Sequence, residues 1–200
     1  MFEFLESKEW RIIKQMYSYQ YPRPSVAVSV ILFDPFRREI LIGKRSKNSD
    51  AFPSCLTIPG GFLDCKIQNR DDKIYLDELS HFYPTGNNKN PRLGNPEKII
   101  RKGETTEQTA VREVFEETNL TINIDDLVLQ EVRSDPNIDP RCHVIHVIYS
   151  CVYADWEHAK AGDDLEGLVW KSFDLILDAE ENYAFDHYDI LCNYIRKFEQ

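Results

Sequence analysis

Apolar residues fall in short, dense runs, and the spacing within each run predicts its element. Residues 25–33, Ser-Val-Ala-Val-Ser-Val-Ile-Leu-Phe, are rich in β-branched side chains and predict a buried strand. Asp34-Pro35-Phe36-Arg37-Arg38 supplies turn residues, and residues 39–45 predict a second strand, so the two form a hairpin. Further strands are predicted at 127–132, 143–153 and 167–173. Helical spacing governs residues 3–18, 104–118 and 186–197. The first of these ends at Tyr21-Pro22-Arg23-Pro24, because proline disfavours helix in the residue before it. Residues 65–101 have no period and include Tyr83-Pro-Thr-Gly-Asn-Asn-Lys-Asn-Pro91. So long an aperiodic stretch within a compact domain predicts an insertion with a role of its own.

Composition narrows the class. With 200 residues, 42% hydrophobic and 29% charged, the chain suits one globular domain with a core. Lys+Arg number 24 against 34 Asp+Glu, a net charge of −10. That balance argues against dedicated nucleic-acid binding, which rewards clustered cations, and favours a protein that binds them. No run approaches the roughly 18–20 apolar residues of a membrane span. The first ten residues are acidic and lack the apolar segment of a signal peptide. Cys55, Cys65, Cys142, Cys151 and Cys192 are odd in number and contain no C-x-x-C pair. Neither a zinc knuckle nor a disulfide framework is expected, and a reducing, cytoplasmic setting is.

The sharpest chemical feature is Arg112-Glu113-Val114-Phe115-Glu116-Glu117. With about 100° of turn per helical residue, Glu113, Glu116 and Glu117 fall within a sector of about 100°, while Ala110, Val111 and Val114 occupy another. Like charges three and four residues apart destabilise a bare helix, so the cluster needs a cation. Arg112 is placed to answer Glu116 at i+4. Hard dications with oxygen ligands suit the remainder, Mg²⁺ above all because it uses few carboxylates together with substrate phosphate.

Upstream residues complete a pattern. Pro59-Gly60-Gly61-Phe62 ends a strand, and Lys102-Gly103-Glu104 opens the acidic helix. With Arg112-Glu113-Val114-Phe115-Glu116-Glu117-Thr118-Asn119-Leu120 they resemble the Nudix box, G-x5-E-x7-R-E-U-x-E-E-x-G-U, where U is bulky and aliphatic. Glu104 takes the first Glu. Lys98 stands where an uninterrupted pattern has its opening Gly, and Gly61 fills that place once residues 65–101 are set aside. Asn119 replaces the closing Gly, a mild change because Asn also tolerates the left-handed conformation that ends a helix. Tyr21-Pro-Arg-Pro-Ser-Val-Ala-Val28, Leu41-Ile-Gly-Lys-Arg45, Ser134-Asp-Pro-Asn-Ile-Asp-Pro-Arg141, residues 161–170 and Ala184-Phe-Asp-His-Tyr-Asp-Ile-Leu191 are similar to the ADP-ribose pyrophosphatase group of that superfamily.

The resemblance implies an α+β fold, an α/β/α sandwich with a mixed sheet packed between helices. It implies a helical extension at 1–20 and a Nudix hydrolase domain at 21–200, interrupted by 65–101. It further implies metal-dependent cleavage of a nucleoside diphosphate linked to another group, foremost ADP-ribose to AMP and ribose 5-phosphate. NADH, a dinucleoside polyphosphate or a nucleotide cap are the alternative substrates. A nucleotide-sensing regulator is the alternative class, disfavoured by the complete acid set. Implied metal contacts are Gly60, Gly61, Glu104, Glu113, Glu116 and Glu117, with Mg²⁺ or else Mn²⁺, and Arg112 orienting the carboxylates. Glu166 is the first candidate for general base, with Asp163 and Asp164 behind it; related chains carry their Glu one position later, at Gly167 here. Arg45, Phe62, Asp139 and Arg141 are the expected contacts to a small-molecule nucleotide, and Tyr83 is a further stacking candidate. Relatives are often homodimers, a state possible here. His143 and His146 have opposite strand parity and do not read as paired ligands, while Asp186 reads as an N-cap.

Overall fold

The computed structural model describes residues 24–63, 65–66, 102–153, 158–178 and 182–200. The helix expected at 3–18, Tyr83 and most of the aperiodic stretch lie outside the described residues. In chain order the elements are β1 (Ser25–Asp34), β2 (Glu39–Arg45), β3 (Leu56–Thr57), β4 (Gly60–Phe62), β5 (Cys65–Lys66), β6 (Lys102–Gly103), α1 (Thr106–Thr118), β7 (Val128–Arg133), β8 (Val144–Val152), β9 (Leu165–Ser172), α2 (Phe173–Leu177) and α3 (His187–Phe198). A 3₁₀ turn at Ile124–Asp126 leads into β7.

Among the described residues seven strands form one mixed sheet. Its order is β3-β2-β1-β8-β7, with β9 also on β2 and β4 also on β1. The expected hairpin is present: β1 and β2 are antiparallel, and Asp34 Oδ1 accepts from the amides of Phe36 (2.8 Å) and Arg37 (3.1 Å) to close the turn. β1 runs parallel to β8 over nine residue pairs, from Ser25 with Val144 to Phe33 with Val152. Such a central strand is apolar on both faces, which is why β1 shows no alternation in sequence.

Its two faces feed two cores. Val28, Val30 and Leu32 point to one side with Leu41, Val147 and Tyr149, and Ala110 and Val114 of α1 pack on them. Ile31 and Phe33 point to the other, with Ile40, Ile42 and Ile148, under Phe173 and Ile176 of α2 and Ile190, Leu191 and Ile195 of α3. The sheet is therefore sandwiched between helices. Fully burying Val114 is worth about 1.5–3 kcal/mol and fixes which side of α1 faces away from the sheet. Separately, β5 pairs antiparallel with β6, Cys65 opposite Gly103 and Lys66 opposite Lys102, so the start of the insertion runs beside the residues that follow it. No helix among the described residues is long and apolar enough to cross a membrane.

Candidate active site

Helix α1 starts where its chemistry demands. Thr105 Oγ1 accepts from the Gln108 amide (3.2 Å) and Gln108 Oε1 accepts from the Thr105 amide (2.9 Å), a capping box that satisfies two otherwise orphaned donors. The helix ends at Asn119 in the left-handed region (φ 59°), its amide donating to Phe115 O at 2.9 Å. The exposed C-terminal carbonyls are then taken up by a later loop: the Lys160 amide donates to Thr118 O and the Gly162 amide to Glu117 O. This docking carries Asp163 and Asp164 to the mouth of the same cleft.

The three glutamates separate by role. Glu117 is 3% exposed and Glu113 7%, and both line the cleft; Glu116 leans outward and does not. Glu117 Oε2 accepts from the Gly60 amide at 2.8 Å. Burial pushes the Glu117 carboxyl well above its ordinary value, and Asp164 and Glu113 add to that push against the Gly60 bond. Burial also raises Glu113, opposed by Arg112. The glycine pair sits on β4 against β1, Gly60 opposite Ser29 and Gly61 opposite Val28. A Cβ on Gly61 would lie 2.5 Å from Glu113 Cδ and 2.7 Å from its Oε2, so only glycine lets strand and carboxylate meet this closely.

Arg112 does more than its i+4 spacing indicates. Its guanidinium reaches Glu104 (Nε–Oε1 2.9 Å), Glu113 (Nη1–Oε1 2.7 Å), Glu116 (Nη1–Oε2 2.7 Å) and the Phe62 carbonyl (Nη2–O 3.1 Å). Five N–H donors in one plane make this possible. Glu104 is engaged by Arg112 and by the Thr109 hydroxyl (3.2 Å), so it braces the arginine and does not line the cleft.

The cleft that Glu113 and Glu117 line, about 230 Å³ in volume, is also walled by Phe62, Asp139, Arg141, Arg45 and Phe185. Arg141 is bidentate to Asp139 (Nη2–Oδ2 2.8 Å, Nε–Oδ1 3.0 Å), and its guanidinium lies 5.2 Å from the Phe62 ring centroid and 5.7 Å from that of Phe185. Burial raises the Asp139 carboxyl, but the Arg141 bonds prevail and hold it below its usual value. Arg45 Nε donates to Ala51 O at 3.1 Å, and its Nη2 approaches Asp164 at 3.5 Å.

Glu166 is placed elsewhere. On β9 the buried Leu165 points inward, so Glu166 points outward, where it pairs with Lys44 at 2.9 Å and does not line the cleft. Asp163 and Asp164 do line it. Asp186 stands at the N-cap of α3 yet makes no side-chain cap bond; its Oδ2 accepts from Arg133 at 2.8 Å instead. His143 is exposed and His146 buried, as their parity requires. Thr57, Ser29, Phe185, His146 and His187 line the cleft without having been singled out as binding residues. Of the polar positions among them, Ser29 lies on β1 and His146 on β8, whereas Thr57 and His187 lie on neither strand.

A family model described as NUDIX domain matches residues 68–194. The chain belongs to the Nudix family. It is 31% identical over 176 residues to the ADP-ribose pyrophosphatase of Methanocaldococcus jannaschii, a match covering 88% of this chain and 76% of that protein. Two solved structures show the same Nudix fold. One is a bifunctional NMN adenylyltransferase/ADP ribose pyrophosphatase from Francisella tularensis, complexed with AMP and a manganese ion (20% identity, TM-score 0.62, covering 96% of this chain and 47% of that one). The other is the Nudix domain of Shewanella oneidensis NrtR complexed with ADP ribose (16% identity, TM-score 0.61, covering 92% and 96%). This chain is thus a Nudix pyrophosphohydrolase, and its box residues Gly61, Glu104, Arg112, Glu113 and Glu116 form one connected cluster although residues 65–101 divide them in sequence.

Proposed function

We propose that this protein hydrolyses the pyrophosphate bond of ADP-ribose, giving AMP and ribose 5-phosphate. The observation that carries the reading is the buried pair Glu113 and Glu117 meeting the Gly60-Gly61 strand end. Two carboxylates pushed toward protonation by burial, sharing one arginine and one amide as positive partners, suit a divalent cation with oxygen ligands. Glu113 and Glu117 would hold it, with a backbone carbonyl of Gly60 or Gly61 and with Glu116 nearby; Mg²⁺ fits best and Mn²⁺ next. When bound, the ion offsets phosphate charge and acidifies water, lowering the barrier to in-line attack on an anionic diphosphate.

The chain's own residues supply position and proton transfer. Arg112 orients the carboxylates through its bonds to Glu104, Glu113 and Glu116. Asp163 takes the part first given to Glu166: it lines the cleft and acts electrostatically on Glu113, whereas Asp164 is drawn toward Arg45. It accepts the proton of the attacking water as the new P–O bond forms, while the bridging P–O bond breaks and its oxygen leaves with the second phosphate. Arg45, Phe62, Asp139 and Arg141 form the wall against which the nucleotide lies.

Purified protein with Mg²⁺ should convert ADP-ribose to AMP and ribose 5-phosphate faster than it cleaves NADH, diadenosine polyphosphates or a cap dinucleotide. Glu117→Gln, which keeps an acceptor for the Gly60 amide, should lower kcat/KM at least 100-fold. It should also abolish the Mg²⁺-induced rise in Tm while leaving the metal-free Tm unchanged or higher. No cleavage of any of these diphosphates with Mg²⁺ or Mn²⁺ rejects the proposal.

A further inference from the structure

His146, Asp186 and His187 each bring a ligand-type atom within 4.8 Å of the others. Their hydrogen bonds argue against a metal. The Ile58 amide donates to His187 Nδ1 at 3.2 Å, so that nitrogen offers its lone pair and the ring proton must sit on Nε2. Thr57 Oγ1 lies 2.9 Å from the same Nδ1 and helps to fix the ring. A protonated Nε2 is a donor and no ligand. The neighbours are engaged as well: His146 Nε2 lies 2.9 Å from Ser29 Oγ, and Asp186 is paired with Arg133.

His187 is also held neutral. Burial pushes its pKa down to about 3, and the electrostatic influence of His146, Arg45 and Arg133 adds to this against Asp186. Its ring borders the cleft with Phe185, centroids 5.3 Å apart. Phe62, Val144 and Arg141 line the same cleft, and the Arg141 guanidinium lies 5.7 Å from the Phe185 ring that touches His187. Flat, weakly hydrated surfaces favour a planar ligand, and a fixed neutral donor favours an uncharged acceptor, whereas phosphate draws charged donors.

We propose that His187 is a specificity-determining residue, its Nε2–H donating to a ring acceptor of the substrate's nucleobase against the wall formed by Phe62, Arg141 and Phe185. The inference rests on the pyrophosphohydrolase reading above and adds which end of the substrate this wall receives. Product inhibition of ADP-ribose hydrolysis tests it, since AMP carries the base and ribose 5-phosphate does not. His187→Asn keeps an acceptor near the Nδ1 position but has no donor at the reach of Nε2; His187→Gln has that reach. In His187→Asn the inhibition constant of AMP should rise about tenfold, the scale of a lost hydrogen bond with its partner left unpaired. That of ribose 5-phosphate should stay within twofold, and His187→Gln should recover most of the AMP affinity. Equal weakening of both products, or of neither, overturns the proposal. An independent readout needs no variant: in ¹⁵N-histidine spectra of the wild type, His187 should carry its proton on Nε2, and AMP but not ribose 5-phosphate should shift that resonance. A proton found on Nδ1, or an Nε2 resonance unmoved by AMP, overturns it too. Wild-type protein that cleaves no diphosphate rejects the underlying reading as well, and that outcome is visible before any variant is made.

Discussion

Gly61→Ala isolates the meeting of strand and carboxylate from the stability of the fold. The new methyl would sit 2.5 Å from Glu113 Cδ and 2.7 Å from its Oε2. Carbon contacts settle at about 3.5–4.0 Å, so the carboxylate must retreat by roughly 1 Å. The backbone itself has no objection, because Gly61 is not in the left-handed region. The retreat disturbs the 2.7 Å bond from Arg112 Nη1, and charged bonds of this kind contribute about 1.5–3 kcal/mol. Part of that returns through a rearranged contact and through the lower unfolded-state entropy of Ala, about 0.4–1 kcal/mol. A catalytic group misplaced by 1 Å costs about 100-fold in rate, or about 2.7 kcal/mol of barrier. The expected outcome is kcat/KM down by about 100-fold with ADP-ribose and Mg²⁺, and a Tm within a few degrees of wild type. Gly60→Ala should behave in the opposite manner. Its methyl would press on Ser29 Cα at 2.7 Å and still closer on the Val28 carbonyl, backbone atoms that cannot swing aside. There the loss should appear as poor folding. A folded Gly61→Ala enzyme within threefold of wild-type kcat/KM would refute the argument that Glu113 must stand against this glycine.

Arg112→Lys replaces a planar fork by a point charge that cannot span Glu104, Glu113, Glu116 and the Phe62 carbonyl together; we expect a loss of about 2–3 kcal/mol, read as a Tm fall of roughly 5–10 °C, and unchanged Tm would rule the bracing role out. Stability should also fall with acid because of His187. Its folded pKa is depressed to about 3 among His146, Asp186, Arg45 and Arg133, whereas unfolded histidine titrates near 6.5, so the unfolded chain binds the extra proton as pH drops. The contribution is complete above about pH 6.5 and declines toward pH 3, with about 2 kcal/mol gone by pH 5. Unfolding free energies of wild type and His187→Asn, from urea titrations, should therefore converge by that amount between pH 7.5 and 5, and parallel curves would count against a neutral buried ring.

What the sequence disclosed depended on how local the cause was. β1, β2, β8 and α1 were legible because their apolar runs and caps lie within a few residues, and the acid helix announced its own need for a cation. β3 and β4 are two and three residues long and carry no period of their own; they exist because β2 and β1 offer free edges. Asp186 read as a cap because Ser, Thr, Asp and Asn generally are, but Arg133, 53 residues earlier, captured it. Glu166 was misjudged because the expected strand began at 167, whereas the observed one starts at Leu165 and so sets the outward parity of Glu166. His187 had no local signal, since its meaning comes from an amide at Ile58 far away in sequence.

The short ladder of Cys65–Lys66 with Lys102–Gly103 has a consequence for surveys of genomes. Strands paired in this way leave the number of residues between them free to vary. Searches keyed to fixed letter counts will pass over such proteins. A query framed as a glycine abutting a helix-borne acid, indifferent to how many letters intervene, would retrieve them.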